Sequence, residues 1–258
     1  SVFTLIPAPW NDGINASNYT LENYVAIFAY KSATGKTINF ANYYLNTLYV
    51  AIVGTIFTLI TTVLASFAFA RCEFKGKNLL FTIRLATMMV PGEMMVITNY
   101  QTVQSLNWAN TFAALIFVHG VSVFYIFYLR QTFSSIPNEL FLAAKVDGYG
   151  HFRYLLRVMI PIGMPTIVTI AILSVMGSWN SYIWPNLVAS GTNPIIKDWS
   201  MLLFSNGLMS LFTNSETGVS QDTVRVAGSV IVTAPLFVFF LIFRKYIMRG
   251  VSRWGIEG

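Results

Sequence analysis

Long apolar runs separated by short polar segments dominate the hydrophobic pattern of this 258-residue chain. An α-helix needs about 20 mostly apolar residues to cross the hydrocarbon core of a bilayer. None of the runs shows the strict alternation of a barrel strand, so each predicts a membrane-spanning helix. Five runs qualify, at residues of about 45–70, 79–98, 109–129, 158–184 and 226–247. The pattern therefore predicts an all-α, polytopic transmembrane helical bundle.

Composition supports the same class of protein. Hydrophobic residues make up 55% of the chain and charged residues 10%, with a mean hydropathy of +0.60, whereas a soluble domain carries about 25% charged residues. The polar stretches at residues 1–42 and about 186–224 are predicted to lie outside the cytoplasm, as parts of a chain whose transmembrane domain covers residues 43–258. The single cysteine, Cys72, excludes an internal disulfide framework.

The basic residues predict the orientation of the chain in the membrane. If the five spans alternate in direction, 12 of the 16 Lys and Arg residues fall on one side. The positive-inside rule assigns that side to the cytoplasm, and the C-terminus with it. Ser1 is then outside, yet residues 1–30 hold no signal-peptide pattern. We therefore expect a further helix upstream of Ser1 and at least six spans in total.

A charged segment between the third and fourth runs, PNELFLAAKVDGYGHFRYLLRVMIP (residues 137–161), predicts a short cytoplasmic helix at about 138–150. Asn138 is a good helix cap, Glu139 suits the positive end of the helix dipole, and Gly148 can take the left-handed turn that ends the helix. The helix would expose four apolar residues, Leu140, Leu142, Ala143 and Val146. A groove on a soluble partner and the surface of the lipid bilayer would both accommodate such a helix.

The same segment resembles the EAA motif of ABC-importer permeases. That motif runs E-A-A, three residues, G, nine residues, I-x-L-P. In this chain three residues separate Ala143-Ala144 from Gly148, and nine more separate Gly148 from Val158, Met159 and Ile160-Pro161. Leu142 departs from the usual Glu, whereas the Asp147-Gly148 pair of carbohydrate importers is kept.

Further segments extend the resemblance over nearly the whole chain. They include TLENYVAIF (20–28), MMVPGEMMVI (88–97), YLRQTFSSIPNEL (128–140) and WNSYIWP (179–185), and they are similar to the maltose-type group of carbohydrate permeases. The resemblance implies the ABC type I importer permease fold, with six helices, in a bacterial inner membrane.

The resemblance also implies a function and its partners. The chain would be a non-catalytic permease subunit of a sugar importer. It would pair with a second homologous permease, bind two ATPase subunits and receive substrate from an extracytoplasmic solute-binding protein. ATP and magnesium would sit on the ATPase and no cofactor on this chain. The short helix would be the coupling helix that contacts the ATPase, through Glu139, Leu142, Ala143, Ala144, Asp147 and Gly148.

Five residues are candidates for the substrate pathway. Glu93 is an acid within a predicted span, close to the break at Pro91-Gly92, and either bonds another helix or lines the pathway. Trp179, Asn180, Tyr182 and Trp184 cluster near the outer end of the fourth span. They fit an aromatic belt at the lipid interface or a wall that stacks on sugar rings.

Other functions are less well supported by the sequence. The alternative is a secondary transporter or channel that works without ATP, for which several intramembrane acids or paired broken helices are typical. SATGKT (32–37) ends like a phosphate-binding loop, but Tyr30 occupies the position of its first glycine.

Overall fold

The computed structural model describes residue 24 and residues 40–196, 199–207, 228–241 and 243. Within these ranges the chain is helical, apart from turns and an isolated antiparallel bridge between Thr192 and Ser200. The helices are α1 (Phe40–Arg71), α2 (Lys77–Ala86), α3 (Val96–Ser105), α4 (Phe112–Ile116), α5 (Val123–Ser134), α6 (Asn138–Val146), α7 (His151–Asn180), α8 (Ile183–Val188) and α9 (Gly228–Leu241).

Helices α1 and α7 are each long and apolar enough to cross a membrane. A third crossing is added if the bent pair Lys77–Met89 and Gly92–Ser105 forms one broken span; its two halves meet at 91°. The bend lies at Pro91-Gly92, where the sequence predicts a break, because proline cannot donate the backbone hydrogen bond that would continue the helix. The predicted span at 79–98 is therefore two helical pieces joined by short 3₁₀ turns.

The faces of α1 show that it is built for an apolar environment. Its exposed side carries Ile52, Ile56, Ile60 and Leu64, each about half accessible, whereas Thr55, Thr58, Thr62 and Ser66 are buried. Two of the buried hydroxyls bond neighbouring helices: Thr55 Oγ1 donates to Ser174 Oγ (3.1 Å) and Ser66 Oγ donates to the Ile126 carbonyl (3.0 Å). Large aliphatic residues outside and small hydroxyl residues inside are typical of membrane helices, which pack without a hydrophobic driving force between them.

The prediction of one continuous third span at 109–129 is wrong. The chain forms α4, leaves helical geometry over residues 117–122, and starts again as α5. Gly120 explains the break: its backbone lies so close to α1 that an added Cβ would be 2.2 Å from the Phe57 ring, and its carbonyl accepts a hydrogen bond from Thr61. Ser122 then caps α5 by accepting a hydrogen bond from the Tyr125 amide (3.3 Å).

The fourth span differs from its predicted bounds at both ends. Helix α7 starts at His151 rather than 158, because a π-helical stretch at Leu155–Met159 carries the chain into Pro161 without ending the helix. It ends at Asn180, where Ser181 is extended, and Ile183–Val188 forms the separate helix α8. The predicted fifth span at 226–247 is represented by α9 in its described part; residues 226, 227, 242 and 244–247 lie outside the described residues.

The described part of the predicted external loop packs on the first turns of α1. Asn46 Nδ2 donates to the carbonyls of Ser200 (2.7 Å) and Leu202 (3.0 Å), and the Trp199 indole donates to Asn46 Oδ1 (2.8 Å). One side chain thus holds the loop at the N-terminal end of α1. Nearly all of the predicted extracytoplasmic segment 1–42 lies outside the described residues.

Candidate functional site

Two features are placed by the fold at opposite ends of α7: the short helix α6 and a central cavity. Helix α6 immediately precedes α7; it starts at Asn138, as predicted, and ends at Val146, four residues before the predicted bound. Its start differs from the prediction in one respect. Pro137 takes the N-cap position and Asn138 is the first helical residue, so the Asn138 side chain makes no cap. Its Oδ1 instead accepts a hydrogen bond from Arg71 Nη1 at 3.3 Å.

The C-terminal end of α6 is a Schellman turn built on Gly148. The Gly148 amide donates to the Lys145 carbonyl (3.0 Å), and the Tyr149 amide reaches back to the Ala144 carbonyl (2.8 Å). Gly148 has φ of 73°, which confirms the predicted left-handed conformation. This turn sets the direction in which α7 leaves α6.

One face of α6 packs into the bundle. Ala144 is buried, and the Phe141 ring meets Tyr154 edge-on with centroids 5.0 Å apart. Lys145 lies with its Nζ 4.9 Å from the centre of the same Phe141 ring. The buried position of Ala144 makes it a packing residue of the segment, rather than part of the surface that α6 presents.

The opposite face of α6 is an exposed surface with an apolar middle and acidic ends. Leu140, Leu142, Ala143 and Val146 are exposed, as predicted, and Val146 is 88% accessible. Glu139 and Asp147 are exposed at the two ends. We call the set Glu139, Leu142, Ala143, Val146 and Asp147 the α6 surface.

Arg71, the last residue of α1, joins α1 to both helices that precede α7. Its Nη2 donates to the Phe133 carbonyl (3.2 Å) and to the Ile136 carbonyl, at the C-terminal end of α5. A cation there complements the negative end of the helix dipole. Together with the bond to Asn138, these contacts fix the junction between α5 and α6. Sequence reasoning assigned Arg71 to membrane orientation alone and missed this role.

A cavity of about 400 Å³ lies between the middle of α1, the start of α5 and the C-terminal part of α7. Its polar lining is supplied by Thr58, His119, Ser122, Tyr125, Ser174, Ser178 and Ser181. Gly54 of α1 and Gly177 of α7 also line it, and a Cβ added to either would meet no atom of the described residues within 4 Å. The small residues of these helices therefore leave space rather than allow close packing.

The five predicted pathway residues do not come together. Trp184 lines the cavity, where its ring meets His119 edge-on at 5.2 Å and its indole donates to the Ala114 carbonyl (3.0 Å). Trp179 is buried in a different cluster and donates to the Val232 carbonyl of α9 (3.1 Å). Asn180 and Tyr182 are exposed, and Glu93 is exposed at the bend between α2 and α3.

The cavity residues carry a sequence signal that the pattern analysis missed. Ser174, Gly177, Ser178 and Ser181 recur at i, i+3, i+4 and i+7, which places small residues on one face of a helix. In a membrane helix such a stripe indicates either close helix packing or a lined cavity. Because the space beside Gly177 is open, this stripe lines a cavity rather than a close contact between helices.

Comparisons with known proteins agree with the geometry. A sequence model of the family of binding-protein-dependent transport system inner membrane components matches residues 62–253. The arabinooligosaccharides transport system permease protein AraQ of Halalkalibacterium halodurans is 28% identical over 242 residues, which is 94% of this chain and 81% of the relative. The trehalose/maltose transport system permease protein MalG of Thermococcus litoralis is 29% identical over 241 residues, 93% of this chain and 82% of the relative.

A solved structure shares the fold. It is a crystal structure of a bacterial ABC transporter involved in the import of the acidic polysaccharide alginate, and it matches with a TM-score of 0.70 at 22% sequence identity. The match covers 89% of this chain and 80% of that chain. The predicted all-α importer permease fold is thereby confirmed.

Proposed function

This chain belongs to the family of binding-protein-dependent transport system inner membrane components, and we propose that it is the transmembrane permease subunit of an ATP-driven sugar importer. In this proposal it forms half of the translocation pathway with a second homologous permease. Two ATPase subunits bind on the cytoplasmic side, and an extracytoplasmic solute-binding protein delivers the sugar. The chain is non-catalytic, and ATP with its magnesium binds to the ATPase.

The observation that carries the proposal is the form of the α6 surface. Helix α6 has nine residues; its inner face is packed, and its outer face exposes Leu142 and Val146 at i, i+4. Such spacing suits insertion of a short helix into a groove of a soluble protein. Glu139 and Asp147 at its ends favour a groove rimmed by basic or amide donors over an anionic lipid surface.

The sugar specificity is supported by the relatives. AraQ and MalG are carbohydrate permeases by name, and each aligns with more than nine-tenths of this chain. An importer of this type would place its coupling contact at the α6 surface and its solute in the cavity at the other end of α7.

The connection between the two features supports transmission of movement. Helix α6 enters α7 through the Gly148 turn, and Arg71 binds the preceding junction to α1. A displacement of α6 by the ATPase would therefore move the spans as packed bodies, which is how domain and subunit rotations operate in transport cycles.

A charge placed on the α6 surface tests the proposal. Val146→Asp changes a side chain that is 88% accessible, so the fold of the permease is expected to persist. Burying that carboxylate unpaired in a groove would weaken the contact by about 2 kcal/mol, roughly 30-fold. The measurement is the amount of ATPase retained when the full-length chain is purified from membranes, divided by the amount of permease recovered.

Asn78→Asp is the matched control, because Asn78 is exposed in the first turn of α2, where a carboxylate suits the helix dipole, and it lies off the α6 surface. It should retain wild-type amounts of ATPase. Equal retention in both variants and the wild type would reject α6 as the ATPase contact.

A further inference from the structure

We infer that the cavity between α1, α5 and α7 is a binding site for an uncharged sugar unit and discriminates against anionic sugars. This inference rests on the proposed import function and assigns a solute site to this subunit itself. It would make the subunit a selective part of the pathway rather than a passive wall.

The first support is the charge of the lining. Among the residues that the structure describes, 17 line the cavity, and none of these is Asp, Glu, Lys or Arg. A carboxylate that entered this space would find no cationic partner among them, and an unpaired charge in a low-dielectric site is strongly disfavoured. We expect an anionic sugar to bind at least about 100-fold more weakly than a neutral sugar of the same size.

The second support is the hydrogen-bonding capacity of the lining. A hydroxyl group both donates and accepts, as sugar hydroxyls do, so serine and threonine side chains suit a polyhydroxylated ligand. Ser174 and Ser122 already accept hydrogen bonds from Thr55 and from the Tyr125 amide. The hydroxyls of Ser178 and Ser181 bond to no group in the described part of the chain, which leaves them for a ligand.

The third support is the shape of the site. Its volume of about 400 Å³ falls in the range of roughly 300–1,000 Å³ that is usual for small-molecule pockets. Gly54 and Gly177 create part of that space from two helices, since a Cβ at either meets nothing within 4 Å. The Trp184 ring is 5% accessible and its indole is bonded to Ala114, so it forms a fixed, mostly buried part of the wall.

A cysteine reporter tests the assignment without removing a polar contact. Val121 lines the cavity, is 50% accessible and contributes no hydrogen-bonding side chain. Val121→Cys is made in a Cys72→Ser background, and the full-length chain is purified with the subunits that accompany it. The rate of modification by a small, neutral thiol reagent is then measured with maltose, trehalose, arabinotriose or an alginate disaccharide present.

At least one neutral sugar should slow the modification; at ten times its dissociation constant the rate falls about 11-fold. The alginate disaccharide at the same concentration should leave the rate unchanged. Gly177→Val, which fills open space in the cavity, should abolish protection by the neutral sugar. Ile60→Phe is its matched control, because it adds bulk on the exposed face of α1 and should leave protection intact.

The inference is overturned if no neutral sugar protects Cys at position 121, or if the alginate disaccharide protects as well as they do. ATPase retention is measured on the same preparations to separate the two proposals. Retained ATPase with no protection rejects the sugar site alone, whereas loss of ATPase from the parent protein rejects the proposed function.

Discussion

Gly148 offers the sharpest test of how the α6 surface is held. Its φ of 73° lies in the left-handed region, where a residue with a Cβ loses about 1–2 kcal/mol relative to glycine. The penalty comes from the backbone, because a Cβ at this position would meet no atom within 4 Å in the part of the chain that the structure describes. We call the turn closed when it makes its two backbone hydrogen bonds and opened when it does not. Gly148→Ala should therefore shift the equilibrium toward the opened turn by about 5- to 30-fold.

The effect of Gly148→Ala on the binding of the ATPase has an upper bound. If the ATPase binds only the closed turn, its affinity for the permease falls at most by the factor that the substitution imposes on that turn. We expect the dissociation constant of the ATPase from the solubilised permease to rise by up to about 30-fold. Sugar-stimulated ATP hydrolysis per permease should fall at subsaturating ATPase, while insertion into the membrane is unaffected.

Gly150 provides the matched control. It lies two residues further on, has an ordinary extended backbone (φ −74°, ψ 164°), and also has open space around an added Cβ. Gly150→Ala should leave the dissociation constant within about twofold of wild type. The reasoning is refuted if Gly148→Ala binds the ATPase as wild type does, or if both substitutions weaken binding equally.

Three further predictions concern contacts between elements. Arg71→Met removes the donors to the Ile136 and Phe133 carbonyls; it should lower the thermal midpoint of the purified complex and reduce ATPase retention, and Arg71→Lys should recover part of both. Asn46→Ala removes three hydrogen bonds to the loop that follows α8. Protease cleavage within residues 189–207 should then accelerate by about tenfold or more, and an unchanged rate would contradict the contacts. Paired cysteines at Thr132 and Thr166, whose hydroxyls are 3.0 Å apart, should cross-link α5 to α7 in a Cys72→Ser background without loss of transport, whereas a blocked cycle would show that these helices separate during it.

The sequence predicted the parts of the fold that depend on local pattern. The apolar run at 45–70 became α1, and the helix-end signals located the start of α6 and the left-handed Gly148, although α6 ends four residues before its predicted bound. These features could be predicted because a helix of membrane length, a helix end and a glycine turn are decided by neighbours in the chain.

The parts that failed depend on contacts between distant residues. The run 109–129 is predominantly apolar, and the only local marks at its break are the polar or small residues His119, Gly120 and Ser122; the position of the break follows from the approach of Gly120 to Phe57 on another helix. Trp179 and Trp184 lie close together in the sequence, yet their indoles donate to different carbonyls. Trp179 donates to Val232 of α9 and Trp184 to Ala114 of α4. The indole N–H of a buried tryptophan predicts that a hydrogen-bond acceptor is present, but not which one.

Helix α7 connects the two candidate features, the α6 surface and the cavity, in one continuous helix. From His151, beside α6, to Ser178, at the cavity, the helix rises about 40 Å at 1.5 Å per residue. Its sides are bonded to α5 by the Thr132–Thr166 pair and to α1 by the Thr55–Ser174 pair. Small residues and hydroxyl bonds at these contacts hold the helices close together, so under the proposed function a displacement of α6 would move the three helices together instead of sliding one past another. The cavity would then keep its shape while its orientation changes, and access to it would be controlled where this bundle meets the second permease.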